Sequence, residues 1–331
     1  MTAQQLAADL AGKPDALTGL ADRLARHDPY AALPSLLEDE PATVLLLGTG
    51  AARHACAAAA ARMRLVGLGA VAEHASAAES VPAGPDTLVV AVSLGSGQLE
   101  LCGALERYVE RSPIVVLAND PHAPVARYAD VLVPLLAGQE KSGLACRAYQ
   151  HALALLLLLG HRLGAPQLGA GNDLSVTLRR VANASSDLLG RARSWLPEVA
   201  SVLAGAGGPG PVHLVAPADR LASAWQAALA MRHGPVVAAY ACESGEWSHT
   251  DRFLAAIEDY RALLFTGSAY DDRVAEQLLQ LRGTFVAVGG EVTGAAAQVR
   301  YLGDTDPDVR LLTEPIVGEL LAAHWWAGRP V

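Results

Sequence analysis

The feature that most constrains this chain is a repeated pair: a short unbroken apolar run, closed by small residues, then at once a helix-forming stretch. Residues 43–47 (Thr-Val-Leu-Leu-Leu) end in Gly48-Thr49-Gly50 and lead into an Ala-rich stretch from 51 to about 66. Similar runs lie at 70–73, 87–93, 114–118 and 131–134, with helical segments between them, notably at 98–111 and 123–128. A strand that is apolar along its whole length has both faces covered, and alternation with helices is how a parallel sheet acquires that cover.

The alternation stops at a helical region over 144–163, whose core, 152–159, reads as a fully buried helix. A Gly/Pro stretch at 164–171 and one long amphipathic helix over 174–203 follow. The run Gly205-Ala206-Gly207-Gly208-Pro209-Gly210-Pro211 is a loop by composition. Strands are then expected at 212–216, 236–239, 261–266, 284–288 and 310–312, with helices at 221–232 and 316–326. The class is therefore α/β, built as two similar modules of five parallel strands joined by helices, an element order consistent with duplication. The division expected is an N-terminal helical segment (1–34), a first module (35–165), a helical connector (166–203) and a second module (204–331).

Composition narrows what such a chain can do. Of 331 residues 52% are apolar and 18% charged, which suits a large core and excludes disorder. A net charge of −9 with no Lys/Arg run leaves no means of neutralising a phosphate backbone, so nucleic acid is not an expected partner. Four scattered cysteines, with no CxxC pair, argue for a reducing compartment and against a zinc site. No stretch approaches the ~20 apolar residues of a membrane span, and the N-terminus lacks a basic start followed by an apolar block. A cytoplasmic protein without metal or cofactor is the expectation. Of the two lysines, Lys13 lies in a polar Pro-flanked stretch expected to be solvated, and Lys141 lies near the end of the first module.

In open parallel sheets ligands sit beyond the carboxyl ends of the strands. Two loops qualify: Gly48-Thr49-Gly50 after the first strand, and Ser93-Leu94-Gly95-Ser96-Gly97-Gln98 after the third. Glycine lets backbone approach an anion, a helix starting near Gln98 would aim free N–H groups at it, and Thr49, Ser93 and Ser96 supply hydroxyls. Small residues in strand–helix turns are equally common for backbone reasons alone. Neither loop fits the dinucleotide or P-loop patterns. The acidic pair Asp271-Asp272 reads as a helix start rather than a metal pair.

The order GT, SxxSGQ, GQEKSGLAC and, in the second half, GEWSH resembles the SIS (sugar isomerase) fold in tandem, as in the isomerase half of glucosamine-6-phosphate synthase, over residues 35 to 330. The resemblance implies a flavodoxin-like three-layer sheet in each module, a homodimer, and a phosphorylated sugar or amino sugar held beside the Ser-rich loop of the first. Ser96-Gly97-Gln98 fits the SGE of the family's SQSGET loop, and Ser93 takes the place of its first serine across a one-residue insertion. Leu99 stands where the threonine would be. Thr49 matches the threonine of GTS, with Gly50 in place of its serine. Glu140 fits the glutamate of the family's active-site segment, Leu144-Ala145-Cys146 its V-A-S, and Lys141 is adjacent.

Gly245-Glu246-Trp247-Ser248-His249 matches the family's GExxHG as far as the histidine, which opens the sugar ring and comes from the neighbouring subunit. Imidazole, with an unperturbed pKa near 6.5, can give and take a proton at neutral pH. The family's proton-shuttling glutamate aligns with His233, which is equally well a helix-end residue before Gly234-Pro235. Glu243 is the other candidate base, or else a loop acid capping a helix start. The family's C-terminal lysine is not matched. The reading is an enzyme of isomerase, deaminase or deglycase type with an interface site. Its alternatives are a non-catalytic sugar-phosphate sensor and a divergent member recruited to another small-molecule pathway.

Overall fold

A computed structural model describes residues 1–37, 39–95, 97–164 and 173–329. Near the N-terminus lie α1 (Ala3–Ala11), α2 (Lys13–Leu24) and α3 (Leu33–Leu36). The first series comprises β1 (Thr43–Gly48), α4 (Ala51–Arg64), β2 (Gly69–His74), β3 (Thr87–Ser93), α5 (Gln98–Leu105), β4 (Ile114–Ala118) and β5 (Val131–Pro134). Three helices follow, α6 (Arg147–Arg162), α7 (Leu174–Gly190) and α8 (Ala192–Ala204). The second series opens with β6 (Val212–Ala216), α9 (Leu221–His233), β7 (Ala239–Glu243), α10 (Asp251–Ala255) and β8 (Arg261–Phe265). It closes with α11 (Asp271–Gln280), β9 (Thr284–Val288), β10 (Ala297–Val299), α12 (Pro307–Thr313) and α13 (Pro315–Ala327).

The chain divides into two compact units. The first, residues 15–139 and 145–179, holds a parallel sheet in the order β2-β1-β3-β4-β5. All seven residues of β3 are buried, because it is central and covered on both faces. Leu45, Leu47, Val89, Ala91 and Val116 meet Leu101, Leu105 and Tyr108 on one side, and α4 and α6 pack together. As its run of leucines predicts, α6 is buried from Ala148 to Gly160. Each leucine buried there contributes about 1.5–3 kcal/mol.

The second unit, residues 1–14, 140–144 and 180–331, holds a parallel sheet in the order β10-β9-β8-β6-β7. Counted within its own series, each sheet runs 2-1-3-4-5, so the architecture is two five-stranded parallel α/β modules, as the element order implied.

Details of the second series differ from the sequence reading. The second strand starts later than expected, and residues 236–238 precede it: Val236 has φ +53, a conformation that excludes a β-branched residue from a strand, and pairing with β6 begins at Ala239. The fifth strand is β10, whereas 310–312 belong to α12. That helix starts at Asp306, whose carboxylate accepts from the N–H groups of Asp308 (2.9 Å) and Val309 (3.2 Å), with Pro307 in its first turn. The expected long helix is two, interrupted at Arg191. Lys13 is not solvated: it is 1% exposed and pairs with the fully buried Glu319 at 2.7 Å, while Gln226 donates to the other carboxylate oxygen at 3.2 Å. Among the described residues no helix is long and apolar enough to cross a membrane.

Candidate functional site

The candidate residues fall into three groups. The first lies at the carboxyl ends of β1 and β3, neighbours whose order marks the reversal point of an open parallel sheet, where ligands bind. Gly50, with φ +51, precedes α4, and Gly97, with φ +73, precedes α5. Neither helix start has a side-chain cap; Ala52 N–H of α4 donates to the Thr49 carbonyl at 3.1 Å, while the first turn of α5 is open to an anion. The loops meet: a Cβ on Gly97 would overlap Thr49 Oγ1 and lie 3.2 Å from Thr49 Cβ. Close approach and left-handed backbone together explain glycine at 97. Gly48 is as tightly held, since a Cβ there would sit 2.7 Å from the N of Arg53.

Two of the polar candidates have internal work. Ser93 is 2% exposed and its hydroxyl accepts from Gln98 Nε2 at 2.5 Å. Gln98 Oε1 accepts in turn from the N–H of Val125 at 3.3 Å, tying the loop to the 3-10 turn Pro124–Tyr128. They shape the loop, and its backbone and Thr49 are the donors on offer. Gly95, with φ +125, lies between them. Ser96 lies outside the described residues. Leu99, where a threonine would give a hydroxyl, is 85% exposed. Cys146, also in the first unit, is buried at the start of α6.

The second group is in the second unit and joins the segment 140–144 to the end of α9. His233 Nε2 lies 3.1 Å from the carbonyl of Ser142. A carbonyl only accepts, so Nε2 carries the proton and Nδ1 of the neutral ring is basic. The edge of Trp326 meets the imidazole at 6.4 Å between centroids. The segment is pinned from below: Ser142 N–H donates to Asp9 Oδ2 at 2.8 Å and Leu144 N–H to Ser142 Oγ at 3.3 Å. Glu140 is half-buried and Lys141 exposed, while Leu144 is interior. Three residues beyond His233, Val236 holds its strained backbone; such strain persists only where the surroundings enforce it, often at functional sites.

The third group sits at the other end of β7. Glu243 Oε2 accepts from Glu246 N–H at 2.9 Å and so caps the 3-10 turn Trp247–His249, which presents His249 and Glu246 to solvent. Beneath it lies a network no local motif announced. Trp247 Nε1 donates to Tyr260 (3.0 Å), Tyr260 to Asp251 Oδ2 (2.6 Å), and His213 Nδ1 meets the same oxygen at 3.2 Å. His213 also stacks on Tyr260 at 3.8 Å. Burial alone would raise the Asp251 carboxyl, but the hydrogen bonds from His213 and Tyr260 outweigh it and hold it below the usual range. Burial and that anion push Tyr260 up, and burial pushes the Cys242 thiol up to about 12, so Cys242 is no nucleophile. Only Trp247 had a sequence signal, its place in GEWSH.

His233 precedes β7 and Glu243 ends it. Four residue steps at about 3.3 Å each put the backbones of Ala239 and Glu243, the two ends of that strand, about 13 Å apart. Among the described residues no group of three or more His, Cys, Asp or Glu is placed to hold a metal ion.

Residues 36–162 match the model of the SIS domain family. The first module is therefore a SIS domain, and the two sheets of one topology give the chain the tandem SIS fold. Solved structures with this fold include the C-terminal domain of glucosamine-fructose-6-phosphate aminotransferase from Francisella tularensis, with TM-score 0.79, 14% identity, and 98% of this chain and 96% of that one covered. Tagatose-6-phosphate ketose/aldose isomerase from Escherichia coli aligns with TM-score 0.77 and 14% identity over 100% of this chain and 96% of that one. Glucosamine-6-phosphate deaminase from Thermotoga maritima aligns with TM-score 0.69 and 12% identity over 99% of this chain and 95% of that one. No curated protein sequence matches the chain.

Proposed function

We propose that the protein binds a phosphorylated sugar or amino sugar and moves a proton next to its carbonyl or imine, as in aldose–ketose isomerisation, deamination or deglycation. The observation that carries this is the convergence of two uncapped helix starts and the Thr49 hydroxyl at the β1/β3 loops. Backbone N–H groups fixed in this way bind a phosphate without a charged side chain. The solved structures of similar fold named above act on hexose 6-phosphates by their descriptions, which supports the same ligand class.

Proton transfer falls to His233 or Glu243 as base and to His249 for ring opening, with no metal or cofactor required. A second copy of the chain completes the site in this reading, lending His249 to the first module of its partner. The surface around the Glu243–His249 turn is apolar enough for a second copy, with Tyr240, Phe253 and Ile257 52%, 66% and 81% exposed. The four free cysteines fit a reducing cytoplasm. A sensor without catalysis is the second reading. It is favoured by Ser93 and Gln98 bonding to each other and by the hydroxyl missing at Leu99.

The test is a thermal-shift screen of hexose and hexosamine 6-phosphates, followed by NMR of each stabilising compound with the wild type and His249→Ala. Conversion by the wild type that drops at least 100-fold in the variant supports the enzyme. Stabilisation without conversion supports the sensor. Stabilisation by none of these sugars defeats both.

A further inference from the structure

Because the two sheets share one strand order, β8 is the counterpart of β3, and the turn Thr266-Gly267-Ser268 before α11 is the counterpart of the loop before α5. In the second unit this junction already contains an anion. Asp271, first residue of α11 and 7% exposed, accepts through Oδ2 from the N–H groups of Gly267 (2.5 Å) and Ser268 (3.0 Å). Two guanidinium groups reach the same turn, since Arg220 Nη2 and Arg310 Nη1 donate to the Thr266 carbonyl at 2.6 and 3.0 Å. Gly267 has φ +118, and a Cβ on it would lie only 2.7 and 2.6 Å from those nitrogens.

Two buried polar atoms here have no hydrogen-bond partner among the described residues. One is Asp271 Oδ1. The other is the hydroxyl of Tyr301, a residue 5% exposed, which lies 3.5 Å from where a Cβ of Gly289 would be. The Gly289 carbonyl accepts from Arg310, so the hydroxyl belongs to the same cluster. Consecutive amides, two guanidinium groups and a spare hydroxyl form the donor set that phosphate oxygens take.

We propose that the β8–α11 junction is a second phosphate cradle, held shut by the Asp271 carboxylate in the place of the phosphate. The wild-type chain then takes the phosphate of a sugar phosphate in the first module alone, and the second module opens only when Asp271 leaves. The inference rests on the proposed function only in taking the β1/β3 loops as the open counterpart.

The test uses the full chain, with inorganic phosphate as the probe and chloride at equal ionic strength as the reference. Asp271→Ala should melt below the wild type without phosphate. In 50 mM phosphate it should recover by about 3 °C or more beyond any gain of the wild type. A variant with native circular dichroism that gains no more than the wild type overturns the proposal. Should Asp271→Ala fail to fold, Asp271→Gly, which likewise removes the oxygen from the two amides, is held to the same criterion. Both are repeated with Gly97→Ala, which fills the first cradle. An extra gain that survives Gly97→Ala belongs to the second module, and one that vanishes overturns the proposal. Loss of the wild-type response with Gly97→Ala concerns the proposed function alone.

Discussion

Replacing Gly97 with alanine tests the contact on which the proposed first-module site depends. Two costs add at this position. An L side chain at φ +73 costs roughly 1–2 kcal/mol. The new Cβ also overlaps Thr49 Oγ1, and the loops must part by some tenths of an ångström. Strain from such overpacking costs about 1–3 kcal/mol. Gly97→Ala should then cost about 2–5 kcal/mol of unfolding free energy in urea. In a Thr49→Ala background the hydroxyl is gone and only a Cβ at 3.2 Å remains, so the cost should fall towards the backbone share. The double-mutant cycle is expected to show a coupling of about 1 kcal/mol or more. Phosphate or sugar-phosphate affinity should drop about 30-fold for each 2 kcal/mol of loop distortion. Equal costs of Gly97→Ala in both backgrounds would show that the loops do not touch, and the cradle argument would fall with them.

Other expectations follow from single contacts. His249→Ala should lower turnover about 10²–10⁴-fold while leaving the melting temperature within a degree or two, because the side chain is exposed. Lys13→Met should cost about 3–5 kcal/mol by leaving the buried Glu319 carboxylate without its ion partner, and Lys13→Met with Glu319→Leu should recover most of it. Burial raises the Glu314 carboxyl from its ordinary 4.5 to about 7 despite Arg220 at 2.6 Å. The folded state thus binds the extra proton, and the stability of the wild type relative to Glu314→Gln should decline as pH rises from 4.5 to 7. A flat difference over that range in urea titrations would refute it. Asp251 has the opposite sign: its lowered carboxyl should stabilise the fold above about pH 4, and this contribution should be lost as pH falls further. Asp251→Asn should therefore flatten the acid limb of the stability curve.

What could be read in the sequence alone is the local part of this molecule. Unbroken apolar runs rich in β-branched residues, such as 87–93 and 114–118, mark central parallel strands, and glycine beside a hydroxyl at 48–50 and 93–98 marks where strands turn into helices. Those signals placed the strand-to-helix turns of the first module and the two-module plan, because strand periodicity and turn chemistry act over a few residues. Short elements were less legible: 310–312 is as apolar as a strand, and only Asp306-Pro307 betrays the helix. Tertiary structure alone decided which distant groups meet. Lys13 finds Glu319, His213 and Tyr260 find Asp251, and Asp271 turns back onto Gly267 and Ser268 between two arginines. Charges and hydrogen-bond donors carry no periodicity that names their partners. Packing brings them together, and burial then makes each pairing obligatory, since an unpaired polar group away from water costs more than the pair contributes.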